Sequence, residues 1–139
     1  MSEKFGDYAK TDGNVDLGDG EYSAFIAKAV IPFDPDTNGP IESFGKHVCD
    51  INFAIDGDEA NTIKRRFSIS FGKNIQTGQY AAFAQLIAAA CGVPSGSRNQ
   101  RDLGPADLEG KWVRVILQRQ DSNGTTYPRV VNVFPPKHS

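Results

Sequence analysis

The chain has 139 residues, of which 39% are hydrophobic and 10% aromatic, with a net charge of -2 and two cysteines. That length suits one domain with a small packed core. No apolar run approaches the roughly 18 residues of a membrane helix, and the opening "MSEKFGDYAK" lacks the basic-then-apolar order of a signal peptide, so a cytoplasmic protein is expected. In a reducing compartment Cys49 and Cys91 are expected as thiols, a disulfide between them being the alternative.

Residues 1–20 are polar, rich in Gly and Asp and without a clear period, and are expected to form a flexible acidic arm ahead of a domain over residues 21–136. "EYSAFIAKAVI" is aromatic and β-branched enough for a first strand, stopped by Pro32. The following "PFDPDTNGPIESFGK" has the composition of a loop of about fifteen residues, a length that is usually functional or disordered. "HVCDINFAI" then alternates: Cys49, Ile51, Phe53 and Ile55 share one face, Asp50 and Asn52 the other. The Asp-Gly of "DGDEAN" marks a turn.

A third strand lies in "IKRRFSISFGKN". Phe67, Ile69 and Phe71 share a face, and Lys64, Arg66, Ser68 and Ser70 share the opposite one. Arg65 is in register with the apolar set, at the entry of the strand, where a long side chain still reaches water. The period turns helical in "TGQYAAFAQLIAAACGVP", with Tyr80, Phe83, Leu86 or Ile87, and Ala90 on one side. Gly92 suits a left-handed cap, and Pro94 forbids continuation. "SGSRNQRDLGPADLEG" is expected as a loop with one helical turn opened by Pro105. Two strands close the chain, "KWVRVILQRQ" and "YPRVVNVF", joined by a turn marked by Asn123-Gly124.

The order strand, strand, strand, helix, strand, strand lacks the alternation of a doubly wound fold. It is that of a five-stranded OB-fold-like Greek-key barrel, all-β with one helix; an α+β sheet carrying one helix is the alternative. In OB barrels, ligands use the face of strands two and three and the loops between strands one and two and between strands four and five. Here these regions hold Lys64, Arg65 and Arg66, then Phe33, Phe44 and Lys46, then Arg119, Tyr127 and Arg129, with Trp112 and Arg114 on the fourth strand. Cations track phosphates and exposed rings stack on bases, so this set suits a single-stranded nucleic acid.

Each residue has a plainer reading. The three cations are otherwise a solvated strand end that discourages edge pairing. Trp112 is otherwise packed under the helix, Phe33 and Phe44 are loop anchors, and Arg119 packs over the barrel rim. The charge distribution favours neither reading outright: residues 1–59 hold 13 acids and 4 bases, and residues 60–139 hold 4 acids and 11 bases. Such a split implies either a cationic face on an acidic body or charges that pair across the fold.

The segments "GEYSAFIAKA", "GQYAAFAQLIAAACGV" and "DLEGKWVRVILQRQDSNGTTYPRVVNVFPP" resemble a group of small bacteriophage-encoded OB-fold single-stranded DNA-binding proteins. The shared outline is a Gly-x-Tyr first strand, an Ala-rich helix ending near Cys-Gly-Val, a Gly-Lys-x-Val-x-Val strand and an aromatic-Pro-Arg strand, over about residues 18–136. The resemblance implies a protein that coats single-stranded DNA during replication or recombination with little sequence preference, in the cytoplasm of a bacterial host. Self-association and replication or recombination partners are implied with it, and RNA is the alternative ligand. Cellular proteins of this activity end in an acidic tail that recruits partners; this chain ends "PPKHS", and its acids lie at the N-terminus.

No catalytic or cofactor chemistry is expected. His47 and His138 are the only histidines, and the sequence has no thiol and imidazole spacing for zinc. "DPD" and "DGDE" lack the spacing and closing Glu of a calcium loop. The rival expectation, from another class, is an OB-like protein-interaction module, either a virion component or an inhibitor of a host protein, working through the acidic half. An enzyme such as a nuclease is the third reading.

Overall fold

A computed structural model of the chain describes residues 17–43, 45–122 and 124–136. Five long strands dominate: β1 (Gly20–Val30), β5 (Lys46–Ile55), β6 (Thr62–Ser68), β7 (Trp112–Ser122) and β8 (Thr125–Phe134). They pair antiparallel in the spatial order β6-β5-β1-β7-β8. The sheet curls strongly into a half-barrel, and the mostly β architecture is consistent with an OB-like fold.

The curl has a local cause in β1. Its first half, from Gly20 to Phe25, pairs with β7, and its second half, from Ala24 to Val30, pairs with β5. Between Ile26 and Lys28 the register slips by one residue, so Ala27 is extra. Such a bulge bends a strand and sharpens its twist. It also reassigns the faces. Ala24, Ile26 and Ala29 point into the core, while Phe25, Lys28 and Val30 point outward. A second slip between Ile116 and Leu117 leaves Val131 extra on β8.

The inner face carries Ile51, Phe53, Ile55, Val113, Val115, Leu117 and Val130, all at most 1% exposed. The alternation read for β5 holds: Cys49, Ile51, Phe53 and Ile55 are buried and Asp50 and Asn52 are only partly buried. Helix α1 (Ala82–Cys91) lays Phe83, Leu86 and Ile87 over the inner face and packs on β8, β6 and β7. Phe53, Phe67, Phe83 and Phe71 form a chain of ring contacts from sheet to helix, with centroids 5.9–6.4 Å apart. Gly92 closes the helix at φ 72°, as its position after the Ala-rich run predicts. Tyr80, expected on the helix, precedes it, and its carbonyl accepts a hydrogen bond from the Gln85 side chain. Pro105 opens the short helix α2 (Pro105–Leu108).

Two expected loops are more ordered than their composition suggests. The Pro-rich connection after β1 contains a small hairpin, β2 (Phe33–Asp34) against β3 (Gly39–Pro40). A further pair joins β4 (Glu42–Ser43) to the start of β5. Asn38, at φ 55°, and an Asp34 carboxylate that accepts from the Asp36 N–H shape the tip. In the loop after α1, Gln100 is wholly buried, and its amide donates to the carbonyls of Ala84 and Val93, 2.9 Å each. One polar side chain thus nails that loop to the helix.

Most of the expected N-terminal arm, residues 1–16, lies outside the described residues. The rest of it is held. The Arg119 guanidinium donates to the Leu17 carbonyl at 2.8 Å, and the Asp19 carboxylate accepts from the Arg119 N–H at 2.7 Å. Gly20, the last residue of the expected arm, already lies in β1.

Candidate functional site

Strand register assembles the outer surface of the half-barrel, because residues directly opposite each other across a pair share a face. Trp112 of β7 lies opposite Phe25 of β1, Phe25 opposite Ala54 of β5, and Ala54 opposite Thr62 of β6. Two residues along β5, Lys28, Asn52 and Lys64 form the next row; two further on, Val30, Asp50 and Arg66 form a third. An aromatic pair and three cations therefore occupy one continuous surface.

The rings are half open. Phe25 and Trp112 meet with centroids 5.7 Å apart at 38°, and Trp112 remains 48% exposed. The indole lies over the β5–β6 turn, where Gly57 has φ +80° and a Cβ would come within 3.0 Å of the ring. Asp56 and Gly57 both have positive φ and open the six-residue connection to β6, whose second half is a 3-10 turn over Glu59–Asn61. Trp112 is thus outside the core, braced on one side and free on the other, and Phe25 was hidden in the sequence by the bulge that makes β1 change parity.

The cations of this face are not all unspent. Asp50, whose side chain is only 12% exposed, accepts two hydrogen bonds from Arg66, at 2.7 and 3.0 Å, and lies 3.7 Å from Lys64. The Arg66 hydrogen bonds, with the charges of Arg66 and Lys64 added, hold the Asp50 carboxyl below its ordinary value against the opposing effect of burial. Both cations keep an exposed flank, at 47% and 61% of the side chain, from which a phosphate is reachable.

Arg65 follows the opposite course. It has the parity of Ile63 and Phe67, which are 4% and 2% exposed, and its guanidinium stacks on the Phe67 ring at 4.4 Å. It emerges at the seam between β6 and β8, the two ends of the hydrogen-bonded sheet order. There a hollow of about 380 Å³ is lined by Lys64, Arg65, Arg66, Tyr127 and Arg129. The structure thus brings five of the expected site residues together around one opening.

Other expected residues go elsewhere. Lys46 lines a separate open hollow with Ser70, Lys73, Asn74 and Tyr80, in which the Lys73 ammonium lies 5.7 Å from the Tyr80 ring. Arg114 pairs with Glu21 at 2.8 Å, donates to the Pro135 carbonyl and rests on the Phe134 ring. Arg119 pins residues 17–19 and donates to the Thr126 carbonyl. Both arginines therefore have internal partners that strand alternation does not reveal. Phe33 is 63% exposed on its hairpin, and Phe44 lies outside the described residues.

Among the described residues no group of three His, Cys, Asp or Glu side chains is arranged to hold a metal ion, and no helix is long and apolar enough to cross a membrane. Cys49 and Cys91 are free thiols. Comparison of the chain with protein-family models and with curated protein sequences finds no match.

Proposed function

We propose that this chain is a single-stranded DNA-binding protein built on a five-stranded OB-type Greek-key barrel, coating exposed strands without sequence preference. The observation that carries the reading is the outer face itself: the Phe25–Trp112 pair stands one register row from Lys28 and Lys64, and two from Arg66. Sequence-independent single-strand binders need that combination, since every base has a face to stack and every nucleotide carries a phosphate. The strand order β6-β5-β1-β7-β8, with α1 lying between the third and fourth long strands in the chain, supports the barrel assignment. The resemblance to small phage single-stranded DNA-binding proteins points the same way. An acidic protein is not an obstacle, because local potential guides a ligand more than net charge does.

One observation favours the rival class. Asp50 spends part of the charge of Lys64 and Arg66 within the sheet, as expected of a solvated surface whose acidic parts engage a partner protein. Titration with oligo-dT across salt, followed by the fluorescence of Trp112 and by a label on the DNA, separates the two. The single-strand reading expects saturable binding, weak competition from duplex, and a log–log salt slope of about -0.7 per contacted phosphate. Quenching of Trp112 accompanies binding if bases stack on the outer face. Absence of binding at low salt by the DNA label defeats the reading and leaves the interaction module.

A further inference from the structure

We infer that the seam between β6 and β8 is a seat for one phosphate group, gripped between the guanidinium groups of Arg65 and Arg129. The inference rests on the single-strand reading for its source of phosphate, a phosphodiester of the bound strand, and adds to that reading a site at the edge of the sheet rather than on its face.

The seam is where the hydrogen-bonded order of the sheet ends on both sides, yet β6 and β8 lie against each other there. Arg65 stands between two hollows that open along it. One, of about 380 Å³, is shared with Lys64, Arg66, Tyr127 and Arg129; the other, of about 230 Å³, is shared with Phe67, Tyr80, Gln85 and Asn132. Each hollow also carries a tyrosine, Tyr127 in the first and Tyr80 in the second.

The electrostatics of this point are unbalanced. The Arg65 Nε is buried without a hydrogen-bond partner, a costly state for a charged donor. Burial and then the charge of Arg129 lower the pKa of Arg65, so the charge that acts on it is that of another cation. Among the described residues neither arginine is in an ion pair with a carboxylate; Arg129 donates at 3.2 Å to the Gln120 amide oxygen, and Arg65 rests on the Phe67 ring. Lys64 and Arg66, one residue either side, are by contrast neutralised in part by Asp50. The uncompensated charge of this strand is therefore concentrated at Arg65, in the hollow it shares with Arg129. Two arginines lining one hollow without an acid match the chemistry of a phosphate, whose oxygens accept from both forks at once. A solitary strand-end cation that merely covers Phe67 needs no second arginine opposite it.

The test uses the full chain and three variants: Arg129→Gln, Arg65→Met, which keeps an apolar stem over Phe67, and the double variant. Oligo-dT titrations across salt are expected to show each single variant losing about 0.7 from the magnitude of the log–log slope, one phosphate's worth. The double variant is expected to lose no more than either single one, because both arginines hold the same phosphate. In a second arm, thermal unfolding in millimolar inorganic phosphate is compared with chloride at equal ionic strength. Phosphate is expected to raise the midpoint of the native chain and to leave that of Arg129→Gln unchanged. Native binding of oligo-dT with unaltered slopes in all variants overturns the seat and leaves the single-strand reading standing. No oligo-dT binding, with phosphate stabilisation that needs Arg129, overturns the single-strand reading and supports the seat as a site for free phosphate. Absence of both effects overturns both.

Discussion

Asp50 shows how one side chain sets the character of a binding face. A carboxylate placed between Lys64 and Arg66 fixes both side chains and at the same time competes with any phosphate for them. Asp50→Asn is therefore expected to bind oligo-dT more tightly, with a salt slope steeper by about 0.7 for each phosphate gained. The same substitution is expected to cost about 1.5–3 kcal/mol of stability at neutral pH, the range for a hydrogen bond to a charged group. The sign of the pH dependence follows from the lowered pKa of Asp50. Its contribution is present above the unfolded carboxyl value of about 3.9 and is lost as pH falls through the folded value. Urea midpoints at pH 7 and pH 3 are expected to differ more for the native chain than for the variant. Weaker oligo-dT binding by Asp50→Asn would instead mean that Asp50 organises the two cations for their ligand.

At the scale of elements, the end of α1 isolates a backbone effect from any packing effect. Gly92 adopts φ 72°, and a Cβ there meets nothing within 4 Å. Gly92→Ala is thus expected to destabilise by about 1 kcal/mol through the left-handed conformation alone, read as a lower urea midpoint with an unchanged slope. A neutral result would show that the helix ends elsewhere. The strands teach a different lesson. Period-2 alternation identified the core set of β5 and the outward Lys64 and Arg66 of β6, because neither strand contains a slip. It missed Phe25 and Lys28 as partners on one surface, because the Ala27 bulge moves the second half of β1 by one residue. A bulge of this kind leaves no mark in composition. The β2–β3 hairpin was equally hidden under three prolines that read as loop.

For the molecule as a whole, Cys49 reports on global opening. It is 1% exposed, and burial first, then the neighbouring Asp50 charge, pushes its thiol up to about 11. A thiol titrating near 8.5 when unfolded and near 11 when folded contributes stability that is present below about pH 8.5 and lost as pH rises towards 11. Thiol labelling at pH 8 is expected to modify the half-buried Cys91 readily and Cys49 only at the rate of unfolding; Cys49→Ala removes the slow phase. Rapid labelling of both would mean that β5 opens locally, without loss of the half-barrel.

Hydrophobic period, turn chemistry and cap residues are local properties, and on that account the sequence by itself determined the order of the long strands, the Ala-rich helix, the Asp-Gly turn and the glycine that ends α1. It also showed the cationic run at residues 64–66 and the exposed polarity around it. Which cations remain available was decided only by tertiary structure, since a charge is spent by whatever lies beside it in space. Asp50 lies fourteen residues before Lys64 in the chain and opposite Arg66 in the sheet; Glu21 reaches Arg114, and residues 17–19 reach Arg119, from the far end of the sequence. The same long-range pairing brings Arg129 and Arg65 to one hollow that no carboxylate lines, because curling the sheet sets the edge of β6 against the edge of β8.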